Sequence, residues 1–207
     1  MVAKRHRNCK RPHLRPAPKS ALISGVQYAI ARKPMQIDRL SVQYVADADR
    51  LLMRVGFDGA SEARLWLTRR LVMRFWPALI KLAEAKPDIR VQPNPEARQA
   101  LVGIEHEKAL REVTFTKTGS TPEPERKPAL GDEPVLVTRI NARRAPDGHT
   151  VIAFVPAAGA GVTLRLQDRL LHGYMKLLQT AVAKAEWELP LKVPGADDAV
   201  AASGPLN

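Results

Sequence analysis

Three groups of residues carry donors or acids in spacings that could do chemistry. His6, Cys9 and His13 lie close together in HRNCKRPH, and nitrogen and sulfur donors of this kind select zinc. A closed zinc site takes four ligands, and the surrounding segment adds only arginine, lysine and proline, so no metal is expected there. His106 stands between Glu105 and Glu107, where an imidazole beside carboxylates suggests acid–base work. Neighbouring residues on a helix point in different directions, so the trio does not make a dyad. His172 falls near the start of a helical pattern, beside Gly173, where capping or packing is the expected role. His149 belongs to a turn. The small-residue loop AAGAG (157–161) leads from strand to strand, whereas a phosphate loop needs a helix N-terminus and a Lys-Ser/Thr ending. The expectation is a chain with no catalytic residue, no cofactor and no small-molecule substrate.

Binding is the remaining chemistry, and the charge points to it. The 207 residues are 45% hydrophobic and 26% charged, ordinary for a globular protein, yet the formal charge is +12. Much of that charge is local. Lys4, Arg5, Arg7, Lys10, Arg11, Arg15 and Lys19 precede the first acid, Asp38. A cationic arm of this kind attracts nucleic acid or other anionic surfaces without sequence preference. The single cysteine excludes an internal disulfide framework and fits a reducing compartment. No run approaches the roughly 18–20 apolar residues that span a bilayer. ALISGVQYAIA after the basic run imitates a signal peptide, but the basic part is too long and Gln27 breaks the apolar part, so a cytoplasmic, non-membrane protein is expected.

The elements that must position any binding residues follow from periodicity. Residues 1–34 read as a disordered, proline-containing basic arm. Leu-, Val- and Tyr-rich stretches broken at Asp47–Asp49 and Asp58-Gly59 predict strands near 36–45, 50–57 and 63–68. Leu71, Phe75, Leu79 and Leu82 then recur at helical spacing to about Lys86, with a kink or a break into two pieces expected at Pro77. A further helix over Pro95–Glu112 completes a first unit spanning 35–116. The Pro-rich segment 117–134 reads as a linker. A second unit spans 135–190: VLVTRINAR, TVIAFVP and VTLRLQ as strands, then a helix from Asp168 to about Glu188, with Asp168 as its N-cap. Residues 191–207 read as a mobile tail.

The two units match. RLWLTRRLVMRFWPALIKLAE (64–84) lies over TLRLQDRLLHGYMKLLQTAVA (163–183) without a gap, setting Leu65 on Leu164, Leu67 on Leu166, Arg70 on Arg169 and Phe75 on Tyr174. The match reaches back through the second strands, and one extra residue of offset sets Arg39 on Arg139 and Leu40 on Ile140. The fold class expected is α+β: a tandem β-β-β-α repeat whose antiparallel sheets pack against helices, because one such unit cannot bury its apolar face alone.

Side-chain alternation then identifies the face turned away from the helices. It carries Arg39, Ser41, Gln43, Arg54, Arg64, Trp66, Thr68, Arg139, Asn141, Arg143, Thr163, Arg165 and Gln167, with no acid among these central positions. Guanidinium groups hold phosphates and an indole stacks on a base, so this face is the expected platform for single-stranded nucleic acid. The candidate binding residues are Arg39, Arg54, Arg64, Trp66, Arg139, Arg143 and Arg165, with Lys4, Arg5, Arg7, Lys10 and Arg11 of the arm. The competing expectation is a protein-interaction or assembly module, homodimeric or paired with another protein, on the same sheet.

A strand-strand-strand-helix unit used twice resembles Pur-α repeats and, more loosely, Whirly proteins, which implies binding of single-stranded DNA or RNA. The phrases DRLLMRV, LWLTRR, GDEPVLVTRI and LLHGYMKLL also resemble a family of uncharacterised proteobacterial proteins, which implies a bacterial cytoplasmic protein and no particular activity.

Overall fold

The structure, a computed structural model, describes residues 37–115 and 126–196. The expected arm at 1–34 and the candidates Lys4, Arg5, Arg7, Lys10 and Arg11 within it lie outside these residues, as do His6, Cys9 and His13. The described chain is α+β, with a mixed seven-stranded sheet and four helices. Strands β1 (Ile37–Val45), β2 (Arg50–Phe57) and β3 (Ser61–Leu67) form an antiparallel meander, followed by α1 (Arg69–Glu84), a short α2 (Pro87–Arg90) and α3 (Pro95–Glu112). After the two-residue β4 (Lys127–Pro128), strands β5 (Val135–Arg144), β6 (Thr150–Pro156) and β7 (Val162–Leu166) form a second meander, followed by α4 (Asp168–Lys184). The sheet order is β1-β2-β3-β5-β6-β7.

Contrary to the expectation of antiparallel sheets, two pairings are parallel. β3 runs parallel to β4 and to β5, the latter seam holding only Leu65 against Val135 and Trp66 against Leu136. β5 begins after a long connection, so it can enter in the same direction as β3, which no hairpin allows. β4 itself falls inside the segment read as a linker.

One sheet face and the helices make the core. β2 is buried along most of its length, as its nearly unbroken apolar run LLMRVGF requires of a central strand. β6 and β7 alternate, turning Ile152, Phe154, Leu164 and Leu166 inward. Phe75 of α1, Phe154 of β6 and Tyr174 of α4 meet at the centre, their ring centroids 6.3 to 6.4 Å apart. The helix that follows each meander reaches across to the other one, α1 packing on β5 and α4 on β1. Tyr174 is fully buried, and burial raises its pKa; its hydroxyl has no hydrogen-bond partner among the described residues. Removing an unsatisfied buried hydroxyl recovers its desolvation cost, so Tyr174→Phe should raise stability by about 1 kcal/mol, read from a urea midpoint shift at unchanged slope.

Local signals set the helix ends. Thr68 caps α1 by accepting a hydrogen bond from the Leu71 amide (3.3 Å), and Asn94 caps α3 through the Glu96 amide (2.8 Å), with Pro95 in the first turn. Pro77 leaves α1 as one helix: it sits on the exposed side with Met73, where the carbonyl it deprives of a partner faces water. Asp168 does not cap α4. Gln167 occupies that position, and Asp168 instead pairs with Arg144 of β5 at 2.7 and 2.9 Å, while the same guanidinium donates to the Leu82 carbonyl near the end of α1 (3.2 Å).

Residues 187–196 form an extended strap over the helices, although its second half, 191–196, reads from the sequence as the start of the tail. Trp187, Leu191 and Val193 are buried. Trp76 of α1 donates to the Lys192 carbonyl (3.1 Å) and Gln179 of α4 to the Leu191 carbonyl (2.6 Å). The strap then crosses α3 where Gly103 and Gly195 face each other; a methyl group on Gly103 would overlap the carbonyl of Gly195.

Candidate nucleic-acid interface

Strand register places the candidate residues in rows across the outer face. In the first meander Ser41, Arg54 and Arg64 stand side by side, and so do Gln43, Leu52 and Trp66. In the second, Asn141, Ala153 and Thr163 form one row and Arg143, Val151 and Arg165 another, with Arg139 beside Val155. Alternation therefore holds over most of the face, and the structure gathers Arg39, Arg54, Arg64, Trp66, Arg139, Arg143 and Arg165 on it.

The two halves differ in access and in charge. Arg39, Arg54, Arg64 and Trp66 are only partly exposed, and Leu52 between Gln43 and Trp66 is buried. Arg64 donates to the backbone carbonyl of Asp132. Nor is this half free of acid. β1 carries a bulge between Ile37 and Arg39, and the extra residue, Asp38, leans over Gly56 on the outer face. There it pairs with Arg126 (2.8 Å) and accepts from the Gly59 amide. Glu62, opposite Gly56, shares the face as well. Counting by twos assigns Asp38 elsewhere because a bulge adds one residue and reverses the alternation behind it.

The second half is open. Arg139, Asn141, Arg143, Thr163 and Arg165 are exposed, flanking the half-buried aliphatic column Val151, Ala153 and Val155 of β6. Arg165 forms an ion pair with Asp147, in the turn between β5 and β6, and Asp147 is also 3.3 Å from His149. Arg139 and Arg143 lie four residues apart on one strand, about 13 Å at the usual strand rise, enough for two separate phosphates. Leu136, exposed beside Trp66, joins the halves across the seam.

A second polar cluster lies between the helices, and reading each helix by itself misses it. His106 of α3 and His172 of α4 are both buried, with their Nδ1 atoms 3.2 Å apart. Burial, then the neighbouring charges of His172 and Lys176, holds His106 down at about 4; burial also lowers His172, against the pull of Asp168 and Glu105. Nearby, Lys86 bonds Glu105 at 2.7 Å and lowers its pKa. One signal was available: His106 follows Val102 by four residues and precedes Ala109 by three, the spacing of a buried helix face. Its partner, on another helix far along the chain, leaves no such trace.

Elsewhere, a cleft of about 460 Å³ at the end of α4 is lined by Gln179, Val182, Ala183, Glu186, Glu188, Leu189 and Leu191, which include no thiol, hydroxyl or imidazole. Among the described residues no group of three or more His, Cys, Asp or Glu is placed to hold a metal ion, and no helix is long and apolar enough to cross a membrane. The chain matches no family model, no curated protein and no solved structure.

Proposed function

We propose that this chain is a non-catalytic binding module, built from two β-β-β-α units, whose outer sheet face binds single-stranded nucleic acid. The observation carrying this reading is the open half formed by β5, β6 and β7, where exposed arginines, the Asn141 amide and the Thr163 hydroxyl border an aliphatic column. Arg139 and Arg143 hold phosphates, Asn141 and Thr163 offer hydrogen bonds, and bases lie over Val151, Ala153 and Val155. Trp66 supplies a stacking ring at the seam, while Arg39, Arg54 and Arg64 extend the cationic field, and the arm adds long-range attraction.

Support for the doubled unit comes from register. Leu40 pairs with Val55 and Ile140 with Phe154; Met53 pairs with Leu65 and Ile152 with Leu164. The bulges fall at matching places, between Ile37 and Arg39 and between Val137 and Arg139. Phe75 and Tyr174, matched in the gapless alignment, touch each other, as residues near a twofold axis do. The doubled unit is similar in plan to Pur-α and, more loosely, Whirly proteins.

Salt titration of binding to a single-stranded oligonucleotide tests the function. Arg139→Ala with Arg143→Ala should weaken binding at least tenfold and flatten the slope of log affinity against log salt by about 1.4, at roughly 0.7 per lost phosphate contact. Deleting residues 1–34 should weaken binding and leave the arginine effect in place. Loss of all binding with the arm, and no effect of the two arginines, overturns the reading. The competing assembly module is favoured by β7, which pairs only with β6 among the described strands. In that case a strand of another chain adds to the β7 edge, the chain sediments as an oligomer, and Arg139→Ala with Arg143→Ala leaves that oligomer intact.

A further inference from the structure

We propose that His106 and His172 form a proton-operated latch that holds α3 on α4 when both imidazoles are neutral and releases α3 as the surroundings acidify. The geometry allows one arrangement of protons. With the two Nδ1 atoms at 3.2 Å, one ring donates its Nδ1 hydrogen and the other accepts with its lone pair. A first added proton goes to the donor ring at Nε2 and keeps the bond, at the cost of a charge in a buried place. A second must go to the accepting Nδ1, which sets two N–H groups against each other. The nearby carboxylates are already taken. Asp168 is engaged by Arg144 and Glu105 by Lys86, and Lys176 and His172 both oppose a charge on His106.

The position makes the pair a latch rather than a local defect. α3 is joined to the rest of the fold mainly through α4, with smaller contacts to α1, α2 and the strap at Gly103, and the histidines sit within the α3–α4 contact. Val102 and Ala109, on the same buried side of α3, become exposed when it lifts.

The sign is fixed by linkage. Both rings take protons less readily in the docked state than in the undocked state, so the opened form gains protons first. Docking is fully supported above about pH 6.5 and weakens as pH falls from there towards 4. His106 alone, held at about 4 when docked, raises the opening equilibrium about 30-fold between pH 7.5 and 5, and His172 adds to it.

Hydrogen exchange of the full chain, corrected for the intrinsic pH dependence of exchange, reads this directly. Amides of α3 should open at least ~30-fold more at pH 5 than at pH 7.5 while those of β6 change little, and His106→Leu with His172→Leu should abolish the difference. Equal changes in α3 and β6, no change in either, or an undiminished response in the double variant would overturn the latch. Should the double variant not fold, NMR titration of the wild-type imidazoles decides: midpoints below about 6, in step with loss of α3 protection, support it, and a midpoint at about 6 or above, or one not accompanied by loss of α3 protection, overturns it.

Discussion

Gly103→Ala should lower the thermal midpoint by about 10 °C and shift tryptophan emission to the red. In an exposed helix alanine is the better residue by about 1 kcal/mol, so an ordinary reading of α3 predicts the opposite sign. Here the added methyl meets backbone, the carbonyl of Gly195 and the amide nitrogen of Ala196, which no rotamer change can move aside. Gly195 cannot yield either. It has a φ of 73°, and its own missing Cβ would overlap the carbonyl of Gln99 on α3. The strap must therefore lift, taking with it the hydrogen bond from Trp76 to Lys192 and the burial of Leu191 and Val193. We expect about 3 kcal/mol, the upper end for overpacking, and roughly 2–4 °C per kcal/mol in a chain of this size. Gly195→Ala should cost about as much, and the double variant little more than either alone, because a strap already lifted has no further clash to relieve. Calorimetry on the three variants checks both statements.

Arg144→Ala should cost about 2 kcal/mol, with a midpoint lower by about 6 °C. The guanidinium binds both carboxylate oxygens of Asp168 in the first turn of α4 and the Leu82 carbonyl in the last turn of α1. A cation at one helix end and an acid at the start of another are each favoured by the peptide dipoles. The Arg144 side chain is 14% exposed and that of Asp168 31%, so water screens the orphaned acid in part and the loss falls short of that for a fully buried pair. Arg144→Lys should recover less than half, since an ammonium cannot hold two oxygens and a carbonyl in one plane. A cycle with Asp168→Asn isolates the coupling; additive losses would refute the bridge.

The regular elements were readable because their signals are local. Asn94-Pro95 marked the start of α3, and the two meanders stood out from apolar runs separated by Asp-Gly and Gly-rich turns. The rows of outer residues followed from alternation, which the pairings obey on both meanders. Alternation failed at Asp38, where one looped-out residue is invisible to a count by twos. The parallel seam at Leu65 and Trp66 was hidden because only two residue pairs hold it. The strap was hidden for a different reason: WELPLKVPG has neither a helical nor an alternating period, and its burial comes from extended chain lying on three helices. Gly103 is the one local trace of the strap. A glycine inside an otherwise regular helix often marks a close approach of backbone, and this one does.

The exchange of helices between the two meanders has a mechanical meaning. With α1 laid on β5 and α4 on β1, and rings from α1, β6 and α4 meeting at one point, each set of strands depends on a brace anchored in the other. A seam of two residue pairs would by itself let the halves flap independently. Crossed bracing instead makes them share one fate, so that a strain imposed on one meander is carried into the other.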